Sequence, residues 1–163
     1  MQLKLKLENN AKGLTKDKGN AGYDIYTTEQ LVVLAPGDVH LFPTGIRSEM
    51  PDDYYVEVCE RGSTGTKGIA RRAGIIDASY RGEWFIAIQN TNADTTIIFK
   101  KQDIDTTPIE AALAEKDEGY KIYPLEKAIA QAIVRRVEDV EIIYGDQLSE
   151  TERGEGKLGS SGK

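Results

Sequence analysis

The chain predicts an all-β fold of the sandwich or barrel kind, and three observations carry that expectation. β-Branched and aromatic residues alternate with polar ones in short runs, turn signals separate the runs, and 163 residues make one domain long enough to bury a core. The first strand is Leu3 to Leu7, where Leu3, Leu5 and Leu7 alternate against Lys4 and Lys6. That alternation reads as a strand rather than a signal peptide. Leu31–Leu34, Val39–Phe42 and Tyr54–Cys59 follow on the same pattern. Ile75-Ile76 and the run Trp84 to Ile88 are expected to be the arms of a β-hairpin, because Gly74, Asp77, Ser79 and Gly82 supply turn chemistry between them. Thr95–Phe99, Ile129–Val134 and Val140–Ile143 complete the β pattern.

One segment breaks the pattern. In T-T-P-I-E-A-A-L-A-E-K, Thr107 is placed to cap a helix, Pro108 to open it, and Glu110 stands three residues after the cap, so a helix is expected from Pro108 to Lys116. This insertion, about residues 102–121, is expected as an appendage on a single domain of residues 1–150. Residues 151–163 are glycine-rich and too poor in apolar groups to pack alone, so they are expected to form a flexible arm.

Composition narrows the function. A net charge of −6 argues against general nucleic-acid binding, which needs a basic face to displace counterions. No apolar run reaches membrane-spanning length, so a cytoplasmic protein without a membrane role is expected. The single cysteine, Cys59, has no internal disulfide partner and is expected to be a small buried residue. The single histidine, His40, is assigned packing or surface work rather than metal binding or a triad. An anionic ligand would need local positive charge, for which Arg61, Lys67, Arg71, Arg72, Arg81, Arg153, Lys157 and Lys163 are available.

The most informative stretch is A-G-I-I-D-A-S-Y-R-G-E-W, Ala73 to Trp84. It sets a carboxylate, Asp77, and a phenol, Tyr80, three residues apart, beside backbone groups able to pair with the edge of a planar ligand. Taken alone, Asp77 and Ser79 are ordinary turn formers and Tyr80 a cross-strand packing residue. Their neighbours change the reading. R-G-S-T-G-T-K-G, Arg61 to Gly68, offers an arginine fork, hydroxyls and amides exposed by glycines, the ingredients of an anion nest. The tail R-G-E-G-K-L-G-S-S-G-K offers them again. Neither stretch matches G-x-x-x-x-G-K-S/T, so the phosphate geometry is not that of a Walker loop.

A-G-Y-D-I-Y (Ala21 to Tyr26), P-T-G-I (Pro43 to Ile46), the Glu60-to-Ile69 stretch, Ala73 to Trp84, A-I-A-Q (Ala128 to Gln131) and the tail stand in an order and spacing that resemble the trimeric dUTPases and contain counterparts of their five motifs. The resemblance covers nearly the whole chain and is nearest in style to enzymes of Gram-positive bacteria and their phages, which carry a long piece between motifs three and four. It implies a distorted jelly-roll-like β-barrel, a homotrimer with shared active sites, and Mg2+-dependent hydrolysis of dUTP to dUMP and pyrophosphate, which keeps uracil out of DNA. In that scheme Asp77 activates the water that attacks the α-phosphate, a general-base contribution of ~10²–10⁴-fold. Tyr80 lies under the deoxyribose. The backbone around Gly74, Ile75 and Ile76 reads the uracil edge. Arg61, Gly62, Ser63 and Gln131 hold the phosphates, while Asp24 and Gln131 support magnesium-bound waters with no direct protein ligand. Arg153, Leu158, Gly159, Ser160 and Ser161 close over the nucleotide.

Three departures from the family pattern stand out. Gly62 rather than serine follows Arg61, so the motif-two hydroxyl comes one place later at Ser63. Leu125-Glu126-Lys127-Ala128 replaces the Gly-Asp-Arg that usually opens motif four. Leu158 occupies the place of an aromatic ring that stacks on uracil. Two other readings follow from the same sequence: a dUTPase-fold protein that binds a regulatory partner through the insertion, and the related dCTP deaminase, which lacks the Asp77/Tyr80 pair.

Overall fold

The computed structural model describes residues 1–8, 10–152, 154 and 155. Among them the chain forms β1 (Lys4–Leu7), β2 (Tyr23–Ile25), β3 (Leu31–Leu34), β4 (Val39–Pro43), β5 (Ile46–Glu49), β6 (Tyr54–Cys59), α1 (Gly62–Gly65), β7 (Ile69–Arg72), β8 (Ile75–Ile76), β9 (Phe85–Asn90), β10 (Thr95–Lys100), α2 (Thr107–Glu115), β11 (Gly119–Pro124) and β12 (Ala130–Arg136). The strands assemble into sheets ordered β1-β5, β11-β10-β3, β2-β12-β6-β8 and β4-β9-β7. Every pairing is antiparallel except β10 with β11. This is the all-β architecture expected from the alternation, in the jelly-roll-like form that the resemblance implies.

Side-chain alternation decides which face of each strand turns inward. Along β6, Val56 and Val58 are buried; along β9, Ile86, Ile88 and Asn90 are buried while Phe85 is half exposed. Inward residues from all four sheets meet in one core, crossed by a chain of rings: Phe42 lies 5.0 Å from Phe99, which lies 5.4 Å from Tyr123. Aromatic pairs at such spacings favour edge-on and tilted contacts. His40 packs its ring edge-on against Phe42 at 4.8 Å and meets Glu29 at 3.3 Å, in keeping with a packing role. Trp84 is fully buried, and its indole N–H donates to Ser48 Oγ at 3.1 Å.

Four expectations are corrected. Ile75-Ile76 and the run after Trp84 are not hairpin arms, because β8 pairs with β6 whereas β9 pairs with β4 and β7. The chain crosses between sheets there, passing through the fully buried Trp84. Val140–Ile143 is not a strand; Val140, Ile142, Ile143 and Tyr144 are 72–93% exposed. Cys59 is only partly buried, although its surroundings still push the thiol upward by desolvation. The helix begins one residue early, with Thr106 rather than Thr107 at its cap.

The strands β2, β5, β7 and β11 were not legible from the alternation, and β11 is parallel to β10. A parallel neighbour requires a crossover connection, which is what α2 provides. Thus the insertion is joined to the core sheet by its return strand. Glu110 ties it down, accepting hydrogen bonds from Thr106 Oγ1 at 2.6 Å and Tyr120 Oη at 2.8 Å. These two hydroxyls hold the Glu110 carboxyl below the usual glutamate range. A depressed folded-state pKa stabilises above the unfolded value and is lost as pH falls through the folded one. Protection of the α2 amides, taken relative to their intrinsic exchange rates at each pH, should therefore fall as the medium is acidified below the usual glutamate range, and Glu110→Gln should weaken that pH response. A pH response unchanged in the variant would assign the anchoring elsewhere. Among the described residues, no helix is long and apolar enough to cross a membrane.

Candidate active site

Strand register brings Asp24, Arg61 and Gln131 together. Gln131 on β12 stands opposite Asp24 on β2 and, on its other side, opposite Cys59 on β6, two residues before Arg61. Arg61 caps α1: its N–H donates to Thr64 Oγ1 at 3.0 Å, and the Thr64 hydroxyl donates to Arg61 O at 2.8 Å. Thr64 is buried, so this turn is closed against the core.

The Arg61 guanidinium is thereby held in a fixed orientation. Nε meets Asp24 Oδ1 at 2.9 Å, Nη2 donates to Asp24 Oδ2 at 3.3 Å, and Nη1 donates to Ser63 Oγ and Ala128 O, both at 3.3 Å. A guanidinium has five N–H groups, so among the described residues one on Nη2 stays uncommitted. Around it opens a cavity of about 610 Å³ lined by Asp17, Asn20, Asp24, Arg61, Ser63 and Gln131, among others. Gly22 is buried against the Gln131 side chain, where a Cβ would overlap the amide oxygen. Gln131 Nε2 donates to Glu60 O at 2.7 Å, which leaves its amide oxygen as an acceptor. This half of the site has oxygen acceptors for hydrated cations and a cation for phosphate.

The segment from Gly74 to Trp84 forms the other half. Ala73 adopts a left-handed φ of 55°, a conformation that costs a residue bearing a Cβ about 1 kcal/mol, and the bend turns β8 back onto β6. Val58 N–H then donates to Gly74 O at 2.7 Å. Because β8 is the outer strand of its sheet, Ile75 and Ile76 pair with β6 on one side only. Their second edge of backbone donors and acceptors is free among the described residues.

Beyond β8 the loop is pinned by its own polar groups rather than by a hairpin ladder. Tyr80 N–H donates to Asp77 O at 3.1 Å, Tyr80 Oη donates to Glu83 O at 2.9 Å, and Arg81 Nη1 donates to Ala78 O at 2.5 Å. Arg47 Nη1 adds a bond to Arg81 O at 3.2 Å. Asp77 and Tyr80 are left exposed, with Asp77 and Ser79 on a cavity of about 320 Å³ shared with Asp52, Tyr54 and Tyr55.

The structure does not bring the two halves together within one chain. Asp24 and Gln131 lie on the β2-β12 side of their sheet and the Asp77 loop on the β8 side. Two strand spacings, ~10 Å, separate β12 from β8. The offset along β6 from Val56, opposite Ile76, to Cys59, opposite Gln131, adds ~10 Å in the perpendicular direction. Arg81, a phosphate candidate by sequence, is spent on backbone carbonyls, and Arg72 donates to Gln89. Arg153, Leu158, Gly159, Ser160 and Ser161 lie outside the described residues. Sequence reading missed Asp17 and Asn20 on the cavity wall, since loop polar residues carry no signal of what they line. It also missed the Ala128 carbonyl, a backbone group invisible to residue type.

Comparison with known proteins matches this architecture. The dUTPase family model matches residues 11–104. A deoxyuridine 5'-triphosphate nucleotidohydrolase of Nocardia farcinica is 34% identical over 147 residues, covering 88% of this chain and 74% of its own. Among solved structures, Staphylococcus bacteriophage 80alpha dUTPase with dUPNHPP superposes with a TM-score of 0.74 at 25% identity, covering 99% of both chains. A mutant dUTPase from phage phi11 of S. aureus, whose structure reveals the coordination of a structural Mg(II) ion, superposes at 0.67 with 24% identity over 90% of this chain and 98% of that one. The motifs, the sheet order and the family match over more than half the chain lead to one conclusion: this protein belongs to the dUTPase family.

Proposed function

We propose that the protein hydrolyses dUTP to dUMP and pyrophosphate, as a homotrimer in which the Arg61 half of one subunit's site meets the Asp77 loop of another. The observation that supports this reading is the separation of the two halves. One has a guanidinium with an N–H left free among the described residues and a cavity wide enough for phosphates. The other has a carboxylate, a phenol and an open backbone edge, with its neighbouring Arg81 already committed to carbonyl oxygens. Each supplies what the other lacks. A surface that must meet a different surface on the next copy makes a heterologous contact, which gives a closed ring when the rotation between copies closes, here after three subunits.

In the joined site the uracil edge pairs with the free edge of β8 around Gly74, Ile75 and Ile76. A base with the wrong donor pattern leaves those groups unpaired, at ~1–3 kcal/mol each. The Tyr80 ring lies under the deoxyribose and leaves no room for a 2′-hydroxyl. Asp77 orients a water and takes its proton as the oxygen attacks the α-phosphorus; the bond from that phosphorus to the bridging oxygen breaks, and pyrophosphate leaves. Arg61, Gly62, Ser63 and Gln131 hold the leaving phosphates.

The donor set fits Mg2+. Asp24, Gln131 and Ser63 each place a side-chain oxygen on the cavity wall, the donor type a hydrated Mg2+ prefers. Asp24 and Gln131 would accept hydrogen bonds from its waters while the phosphates ligate it, and the bound ion would neutralise phosphate charge. Arg153, Leu158, Gly159, Ser160 and Ser161 cover the nucleotide in this reading.

The test is pyrophosphate release from dUTP, dCTP, dTTP and UTP with Mg2+, alongside a light-scattering mass. Turnover of dUTP alone by a three-chain particle is expected. Turnover of dCTP in its place, or no turnover by a well-folded trimer, would overturn the reading.

A further inference from the structure

The loop that departs most from the family pattern, Leu125 to Ala128, supplies the backbone oxygen on which Arg61 rests. Nothing in those four side chains fixes that oxygen. A buried phenol does. Tyr123, at 1% exposure, donates its hydroxyl to Ala128 O at 2.6 Å, closing residues 123–128 into a ring, and Arg61 Nη1 reaches the same oxygen at 3.3 Å. A carbonyl oxygen has two lone pairs, so the phenol and the guanidinium can share it. Lys127 N–H donates to Pro124 O at 3.1 Å, which makes the loop a turn, and its tip is tied to the neighbouring segment by Gln102 N–H donating to Glu126 Oε1 at 2.8 Å and Lys101 Nζ donating to Leu125 O at 3.1 Å.

We infer that Tyr123 is a positioning residue for Arg61: its hydroxyl locks the Ala128 carbonyl, and through it the edge of the guanidinium that faces the triphosphate. The inference rests on the phosphate-binding role proposed for Arg61. Tyr123 touches neither phosphate nor base in this arrangement. Its ring packs on Phe99 at 5.4 Å, and the charged groups that face it are Arg61, Asp24 and Lys67, the last with Nζ 5.4 Å from the ring centroid. Burial pushes its hydroxyl upward, so the phenol remains a donor at neutral pH.

Without the hydroxyl, the peptide is still tethered by Ile129 N–H donating to Ile25 O at 2.9 Å, but the Ala128 oxygen loses its phenol partner and can shift, so that one of the three groups that accept from Arg61 is no longer held in place. Asp24 still orients Nε and Nη2. The guanidinium is then loosened rather than lost, and the effect falls on groups that depend on the phosphates.

The experiment is Tyr123→Phe in the full-length protein, which keeps the ring and removes the hydroxyl. KM for dUTP, kcat, dUMP affinity and thermal unfolding are measured beside Arg61→Lys and the double variant. The expected result is a rise in KM of about five- to tenfold with kcat within about twofold, the scale of one hydrogen bond to a charged group's partner. Affinity for dUMP, which lacks the β- and γ-phosphates, should stay near that of the wild type. In the Arg61→Lys background, which cannot make the fork, removing the hydroxyl should add less than about twofold. Full additivity of the two changes, or equal losses for dUTP and dUMP, would show that Tyr123 only supports the fold. If Arg61→Lys itself binds dUTP as the wild type does, the phosphate role of Arg61 fails, a distinct outcome from failure of the Tyr123 inference.

Discussion

Asp77→Asn is expected to lower kcat by roughly 10²-fold or more while leaving the fold, the trimer and the KM for dUTP nearly unchanged. Asp77 is exposed, and its backbone oxygen, rather than its side chain, closes the turn with Tyr80 N–H. The amide has the same shape as the carboxylate, so packing has nothing to lose. It can still hold a water by hydrogen bonding, but it cannot take a proton. The loss should therefore sit in the chemical step, which single-turnover kinetics isolates from binding and product release. Undiminished single-turnover hydrolysis would remove Asp77 from the role of base, and the other carboxylate on its cavity, Asp52, would become the group to test.

Two defective proteins should rescue each other. Arg61→Ala removes the fork to Asp24 and the donor for phosphate, and it should cost about 10- to 100-fold in kcat/KM, the worth of one or two hydrogen bonds to charged groups. Mixed in equal amounts with Asp77→Asn and allowed to exchange subunits, it should restore activity. A site joining one chain's Arg61 to another chain's Asp77 is intact whenever the first comes from the Asp77→Asn protein and the second from the Arg61→Ala protein. Random mixing makes that so in about a quarter of sites, so about a quarter of wild-type turnover is expected. Exchange demonstrated by mass, with no recovery of turnover, would mean that each chain supplies both halves of its own site. The ~10 Å offsets across and along the sheet argue against that arrangement.

The strands with long alternation were legible in sequence. Leu31–Leu34 and Tyr54–Cys59 coincide with β3 and β6, and five others agree to within one or two residues at either end. Alternation is a local property, because each strand must bury one face whatever it pairs with. Val140–Ile143 shows the limit of that argument. It alternates and is apolar, yet its residues stand in solvent in a single chain, since a strand also needs a neighbour to pair with. The insertion's helix was legible from Pro108 and Glu110. Its return strand was not, because a parallel partner lies across a crossover that no local pattern announces.

The sequence by itself determined which residue types were available for chemistry. It set the carboxylate and phenol of the Asp77 loop, the Arg61 stretch with its glycines and hydroxyls, and the order of motifs that marks the family. The tertiary structure alone decided their grouping. β12 runs between β2 and β6, so Asp24, Arg61 and Gln131 converge from positions far apart in the chain, while β8 on the opposite edge carries Asp77 away from them. It also decided that Asp77 sits in a loop crossing between sheets rather than at a hairpin tip, and that a buried tyrosine donates to the same carbonyl that Arg61 reaches. The physical reason is the same in each case. Turn chemistry and alternation act between neighbours in sequence, whereas sheet order is fixed by burying one shared core, and that depends on all the strands at once.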